Sequence, residues 1–209
     1  NRLYPIKNYG SAMAPFYTVL SLWVGILLLM SLLSTNVHGD YKPNEVYFGR
    51  GLTFLTLTII QALIVSLGDI YFLKVQAVNI PLFILISVFT SIVFTAIVYS
   101  LVSIFGNVGK AIGVVLLVIQ VAGSGGTFPI QVTPQFFQNV YPLLPFTYAI
   151  SAMREAVGGI YMPNLTKDIS TLAIFIVVFV IFTVFFKKPI NKVTEKIQDR
   201  FNESDLTGH

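Results

Sequence analysis

From residue 111 to residue 153 the chain carries no charge, yet Gly123, Gly125, Gly126, Pro129, Pro134, Pro142 and Pro145 break it up. A run this apolar belongs out of water, and a run this interrupted cannot be one uniform helix. In a bilayer every backbone polar group must be satisfied within the protein. Irregular backbone survives at depth only where protein or a cavity surrounds it. The stretch 123–159 therefore predicts a segment that enters the membrane, unwinds and turns back, marking the working part of a multi-span bundle. The plainer alternative for the same residues is an outer loop with aromatic packing.

Composition supports a membrane setting. Of 209 residues, 55% are hydrophobic and 11% charged, and mean hydropathy is +0.79. Soluble domains carry about 25% charged residues, so the water-soluble enzyme classes fall away. With no cysteine there is no disulfide, thiolate metal site or cysteine nucleophile. The net charge of +4 reads as membrane topology, with no nucleic-acid partner. The opening NRLYPIKNYGSAMAP has neither an initiator methionine nor a signal peptide. It reads as the middle of a longer protein, making the chain a C-terminal fragment.

A helical span needs about 20 mostly apolar residues. Five stretches approach this: 15–34, 51–73, 80–105, 111–123 and 169–186. The expected fold is an all-α membrane protein, with one multi-span domain over 1–187 and a re-entrant block over 124–160. The fourth stretch is short, so it must borrow length from the glycine-rich block or sit deep in the bundle. Alternation of sides groups Lys42, Arg50, Lys110, Lys187, Lys188, Lys192, Lys196 and Arg200 against Arg2, Lys7, Lys74, Arg154 and Lys167. The larger group belongs in the cytoplasm, which places the re-entrant block outside and the C-terminus inside. An outside start implies a further span upstream. In the tail, 188–209, Pro189 suits a first helical turn, and Ile190, Val193, Ile197 and Phe201 form an apolar stripe. That pattern predicts a separate amphipathic helix on the inner membrane surface, or a docking helix for a cytoplasmic partner.

Glycine permits positive φ and proline ends helical bonding, so the fourth helix should unwind near its outer end. Gly125, Gly126, Phe128 and Pro129 then shape an outer gate, together with Pro145, Arg154 and Glu155. Short helices are expected over 134–141 and 147–157, with Phe136, Phe137, Tyr141, Phe146 and Tyr148 as an aromatic anchor at the outer interface. Arg154 and Glu155 are adjacent and do not face each other on a helix. Each should therefore hold a different partner. Asp69 lies near the outer end of the second span. Lys74 and Arg154 are its candidate partners, and a simple headgroup-level position is the alternative. Gly109 and Gly113 have a GxxxG spacing, which lets helices approach closely. Trp23 reads as packing. GNVGKA at 106–111 is no P-loop, because its glycine spacing is short and Ala111 stands where Ser or Thr would hold Mg²⁺. Two histidines, His38 and His209, form no zinc motif or triad. No cofactor, metal or catalytic residue is expected.

The layout resembles the membrane domain of ABC-2-type exporters, with short re-entrant outer helices before the last span. Three stretches carry a closer resemblance to the C-terminal part of the YhgE/Pip family, the phage infection proteins of Gram-positive bacteria. They are NYGSAMAPFYTVLSLWVG at 8–25, GSGGTFPIQVTPQFFQ at 123–138 and PLLPFTYAISAMREAVGG at 142–159. The resemblance implies a cytoplasmic loop at 38–50, whose Asp40, Lys42, Glu45 and Arg50 would meet a partner. It also implies a homodimer and either a coupling ABC ATPase or, as in the related EsaA/YueB branch, type VII secretion subunits. Family members carry an extracellular stalk upstream, usable by a phage tail protein, and a stalk of that kind is absent from these residues. Two functions follow: a transport-type domain for a lipid-like or hydrophobic substrate, or a non-transporting anchor for the stalk.

Overall fold

The computed structural model describes residues 9–33 and 43–203, with side chains at 9–33, 45 and 47–186. Its α-helices are α1 (Tyr9–Leu32), α2 (Pro43–Tyr71), α3 (Ile80–Phe105), α4 (Asn107–Gly123), α5 (Gln135–Val140), α6 (Pro145–Gly158) and α7 (Met162–Glu203), with single 3-10 turns on either side of α5. Four helices are long and apolar enough to cross a membrane: α1, residues 47–71 of α2, α3 and residues 162–186 of α7. The remaining expected span, α4, has 17 residues and rises about 25 Å. It falls just short of a full crossing. The chain is a multi-pass membrane protein.

Local signals explain the best-defined boundaries. Asn79 caps α3 by accepting a hydrogen bond from Leu82 N at 3.0 Å on its Oδ1, and Pro81 sits in the first turn, where its missing N–H costs nothing. Gly106, with φ of +56°, stops α3 and starts α4 after a single residue. Other boundaries depart from expectation. Pro15 lies inside α1, which starts at Tyr9, because the loss of one intrahelical bond does not outweigh the packing of an otherwise apolar helix. α2 begins at Pro43, so Glu45 and Arg50 stand on its first turns rather than on a loop. Asp40 and Lys42 lie outside the described residues. α7 runs unbroken for 42 residues through Pro189 instead of yielding a separate surface helix. No glycine or turn residue precedes that proline, and an established helix extends readily. The tail's apolar stripe falls among side chains outside the description.

α3 is the central post, packed against α1, α2, α4, α6 and α7. Hydrogen bonds fix the direction of each neighbour. At the proximal end, where α1 starts, Gln76 N donates to Ser11 Oγ at 2.9 Å, and Asn79 N donates to Ala156 O at 3.0 Å. At the distal end, Ser100 Oγ donates to Phe179 O at 3.3 Å, and Tyr99 Oη donates to Tyr47 O at 2.8 Å. Lys74, Arg154 and Lys167 therefore share the proximal end, while Arg50 and Lys110 share the distal one.

Between these ends, polar groups join helices where lipid offers no partner. Ser91 Oγ donates to Thr58 O at 2.8 Å, and Thr95 Oγ1 lies 2.8 Å from Thr58 Oγ1, tying α3 to α2. Small residues let backbones meet. A Cβ on Gly109 would overlap the carbonyl of Leu101, and one on Gly113 would come within 2.7 Å of Leu27 Cδ2. The GxxxG pair therefore closes α4 onto its own α3 and α1. Gly49, by contrast, has nothing within 4 Å of its Cβ position. Gly109→Ala should cost about 1–3 kcal/mol through forced backbone separation, whereas Gly49→Ala should be neutral or raise stability by up to about 1 kcal/mol through helix propensity. Thermal unfolding in detergent, followed by size-exclusion, measures both; equal stabilities for the two variants would contradict this packing.

Candidate functional site

The site is the block from Gly123 to Gly159, and its geometry turns on where α6 begins. Phe146, in the first turn of α6, stacks on Phe94 with ring centroids 5.3 Å apart. Phe94 lies about 21 Å along α3 from Ile80 at 1.5 Å per residue. Ten residues later, about 15 Å along α6, Ala156 O meets Asn79 at the start of α3. α6 thus starts near the middle of the bundle and runs out to the proximal end, antiparallel to α3. It is a half-span helix whose Phe146, Ala149, Ala152, Met153 and Ala156 are fully buried. Pro145 is buried with them in the first turn.

A helix that starts in the interior presents unpaired N–H groups where no water can reach. Pro145 has no N–H to satisfy. Phe146 N donates to the side-chain Oε1 of Gln120 on α4 at 3.2 Å, a buried bond. Thr147 N donates to Leu144 O at 3.1 Å. Around this point Trp23 stands edge-on to Phe94 and Phe146, at 4.9 and 5.6 Å. Its Nε1 donates to Gly113 O at 3.2 Å. α1, α3, α4 and α6 all meet here. Phe146 belongs to this interior cluster, not to the outer aromatic anchor expected for it: its ring is wholly buried, while Phe128 and Phe136 are exposed. Tyr148 keeps a boundary position, its hydroxyl donating to Pro142 O at 2.7 Å.

Between α4 and α6 the chain unwinds. Gly125 has φ of +66°, a conformation that costs a residue with a Cβ about 1–2 kcal/mol. Gly126 faces Phe16 of α1 and Ile150 of α6 so closely that a Cβ would overlap the Phe16 ring. Arg154 holds the unwound turn from the other side: its Nη2 donates to Gly125 O at 3.2 Å and Gly126 O at 3.0 Å. A cation on carbonyls just past the end of α4 also complements the negative end of that helix's dipole. Glu155 turns the opposite way and accepts from Tyr161 N at 2.5 Å, tying α6 to the start of α7. The two adjacent charges thus serve different partners. Phe128 and Pro129 lie on the exposed rim of the turn.

Asp69 is held by α1 instead of by Lys74 or Arg154: Thr18 Oγ1 donates to its Oδ2 at 2.5 Å. Lys74 sits in the α2–α3 turn with φ of +52°. Two further polar residues belong to the site. Gln120 is the lone polar side chain of the apolar run 111–123, and that isolation was its only signal. Asp168 is buried on the first turns of α7. Ser151 of α6 hydrogen-bonds its carboxyl group, while Oδ2 has no partner among the described residues. The arrangement supplies no nucleophile paired with a base. What it supplies is a broken, plugged helix pair whose ends are pinned by Gln120, Arg154, Glu155 and Asp168.

A family model described as ABC-2 family transporter protein matches residues 3–185. The uncharacterized protein YhgE of Bacillus subtilis (strain 168) is 30% identical over 159 residues, which is 75% of this chain and 20% of that protein. The chain spans about a fifth of the length of that relative. No solved structure matches.

Gln120→Leu should leave the Phe146 N–H unpaired in the interior and cost about 1–3 kcal/mol, read as a lowered unfolding temperature. Arg154→Met should raise amide hydrogen exchange across 124–130 while leaving exchange in α3 unchanged. Unaltered exchange at 124–130 would show that the two carbonyl bonds do not hold the turn.

Proposed function

The chain belongs to the ABC-2 transporter family, and on that premise we propose that it is the membrane domain of an exporter-like assembly that moves a lipid-like or hydrophobic substrate. The observation that carries this reading is the half-span α6, which begins at mid-depth and is reached through the unwound turn 124–126. A pure anchor needs one span. It has no use for a buried helix start with its own polar cap. Gly125, Gly126, Phe128, Pro129, Pro145, Arg154 and Glu155 form the outer gate in this proposal. Opening it requires the Arg154 bonds to break and α6 to shift against α1.

The lysine and arginine distribution supports placing the proximal end outside and the distal end in the cytoplasm. The first turns of α2, with Glu45 and Arg50, then face a cytoplasmic partner, and a coupling ATPase supplies the energy. The exposed apolar flanks of α1 and α2 offer Tyr17, Leu28, Leu52, Ile60 and Ile64 to lipid or to a second copy. A homodimer built on those flanks completes the proposal.

Affinity purification of the intact protein from native membranes, with mass spectrometry of its companions, tests the reading. A near-stoichiometric ABC ATPase is the expected outcome. Secretion-machinery subunits without such an ATPase would instead make the domain a non-transporting scaffold for an extracellular stalk, with a phage tail protein as an outside user of that stalk. Within the transport reading, Gly125→Leu should abolish the transport-linked phenotype at unchanged membrane level.

A further inference from the structure

Away from the 123–159 block, a groove of about 250 Å³ runs between α2 and α7 over α3, floored by Ile92, Ala96 and Tyr99 and walled by Leu55, Ile176 and Val180 among others. Ile92 lies about 18 Å along α3 from Ile80, and Tyr99 about 28 Å. α3 has 26 residues, about 39 Å, against a hydrocarbon thickness of about 30 Å. The groove therefore lies in the distal leaflet, from near mid-depth toward the headgroups. Leu52, another wall, is 66% exposed, which leaves the groove open sideways to lipid. Its hydroxyls are already engaged. Tyr99 Oη donates to Tyr47 O at 2.8 Å, Tyr47 Oη pairs with Ser100 Oγ at 3.1 Å, and Thr95 Oγ1 donates to Ser91 O at 2.7 Å. The walls suit an apolar occupant.

Width and charge say which one. From Tyr47 to Leu55 the groove follows α2 for about 12 Å, and a helix of that length, about 10 Å across, fills on the order of 900 Å³. A second copy's helix is too broad, whereas a single acyl chain fits. The rim beyond the groove is cationic. On α7, Ile176, Val180 and Lys187 share one face at i, i+4 and i+11, and Lys188 follows. Lys187 stands about 10 Å past Val180 toward the distal end. On α2, Arg50 precedes the wall residue Gly51 and lies within electrostatic reach of Tyr99. From Ile169 to Thr194 α7 carries no acidic residue. Basic residues at a membrane boundary attract anionic headgroups. We propose that this groove is a binding site for an anionic phospholipid of the distal leaflet, with one acyl chain along Ala96 and the phosphate at the level of Lys187 and Lys188. The site stands whether or not the domain transports a substrate.

The chain in detergent micelles is titrated with phosphatidylglycerol and, separately, with phosphatidylcholine of the same acyl chains. Native mass spectrometry counts the lipids retained. A single phosphatidylglycerol per chain should be held about tenfold more tightly than phosphatidylcholine at low salt, the effect of one or two boundary cations. Added salt should shrink that difference by screening. Lys187→Gln combined with Lys188→Gln should erase the preference and leave one lipid bound. Ala96→Leu narrows the groove from its floor and should abolish retention of both lipids. The lysine pair lies beyond the apolar span, so its neutralisation tests the proposal independently should Ala96→Leu fail to fold. Equal retention of the two lipids by the unmodified chain overturns the proposal, and so does undiminished binding to Ala96→Leu. A dimer that Ala96→Leu dissociates, with lipid retention unchanged, would give the groove to a second copy and overturn it likewise.

Discussion

A single buried hydrogen bond, from the Phe146 backbone to the Gln120 amide, lets a helix begin where none ordinarily can. In hydrocarbon an open backbone donor has no recourse to solvent, and its cost is comparable with a large share of a domain's net stability. Remove that acceptor and the Phe146 N–H is left open in the interior, at the point where the rings of Trp23, Phe94 and Phe146 converge. The irregular stretch between α4 and α6 is tolerable for the same reason. Its carbonyls at Gly125 and Gly126 are engaged by Arg154, Gly126 presses against Phe16, and Gly123 at the end of α4 presses against Phe137.

The rest of the bundle is assembled by close approach instead of by hydrophobic collapse. Lipid tails are as apolar as leucine, so burying leucine against leucine gains little inside a membrane. Specificity falls to short contacts: Gly109 on the Leu101 backbone, Thr58 with Ser91 and Thr95, and Gln61 reaching the carbonyls of Ser21 and Leu22 at 3.4 Å. α3 carries most of these contacts, which is why it is central.

Much of this was legible in the residues. α3 occupies the stretch expected for it, because Asn79, Pro81 and Gly106 are local signals that act within one turn. The broken character of 123–159 was likewise written in its glycines and prolines. What could not be read was which distant groups the breaks engage. Gln120 lies 26 residues from Phe146 and Arg154 lies 28 from Gly126; neither spacing has a periodicity. Phe146 was assigned to the outer interface because aromatics cluster there, and only the depth of α6 places it inside. Asp168 sits one residue before the stretch expected to span from 169, where a charge gives no sign of burial. The continuity of α7 was hidden by Pro189, whose local penalty is real and is outweighed by its helical neighbours.

That continuity has a mechanical meaning. At 1.5 Å per residue the 42-residue α7 is a rod about 63 Å long, roughly twice the hydrocarbon thickness. Its first turns are coupled to α6 through Glu155 and Asp168. Between Asn164 and Lys188 α7 holds no glycine or proline at which to absorb a tilt, so an angular displacement imposed by α6 at one face of the membrane is carried as a lateral sweep toward the other. α7 is thus geared as a lever, with its fulcrum against α3 inside the bilayer.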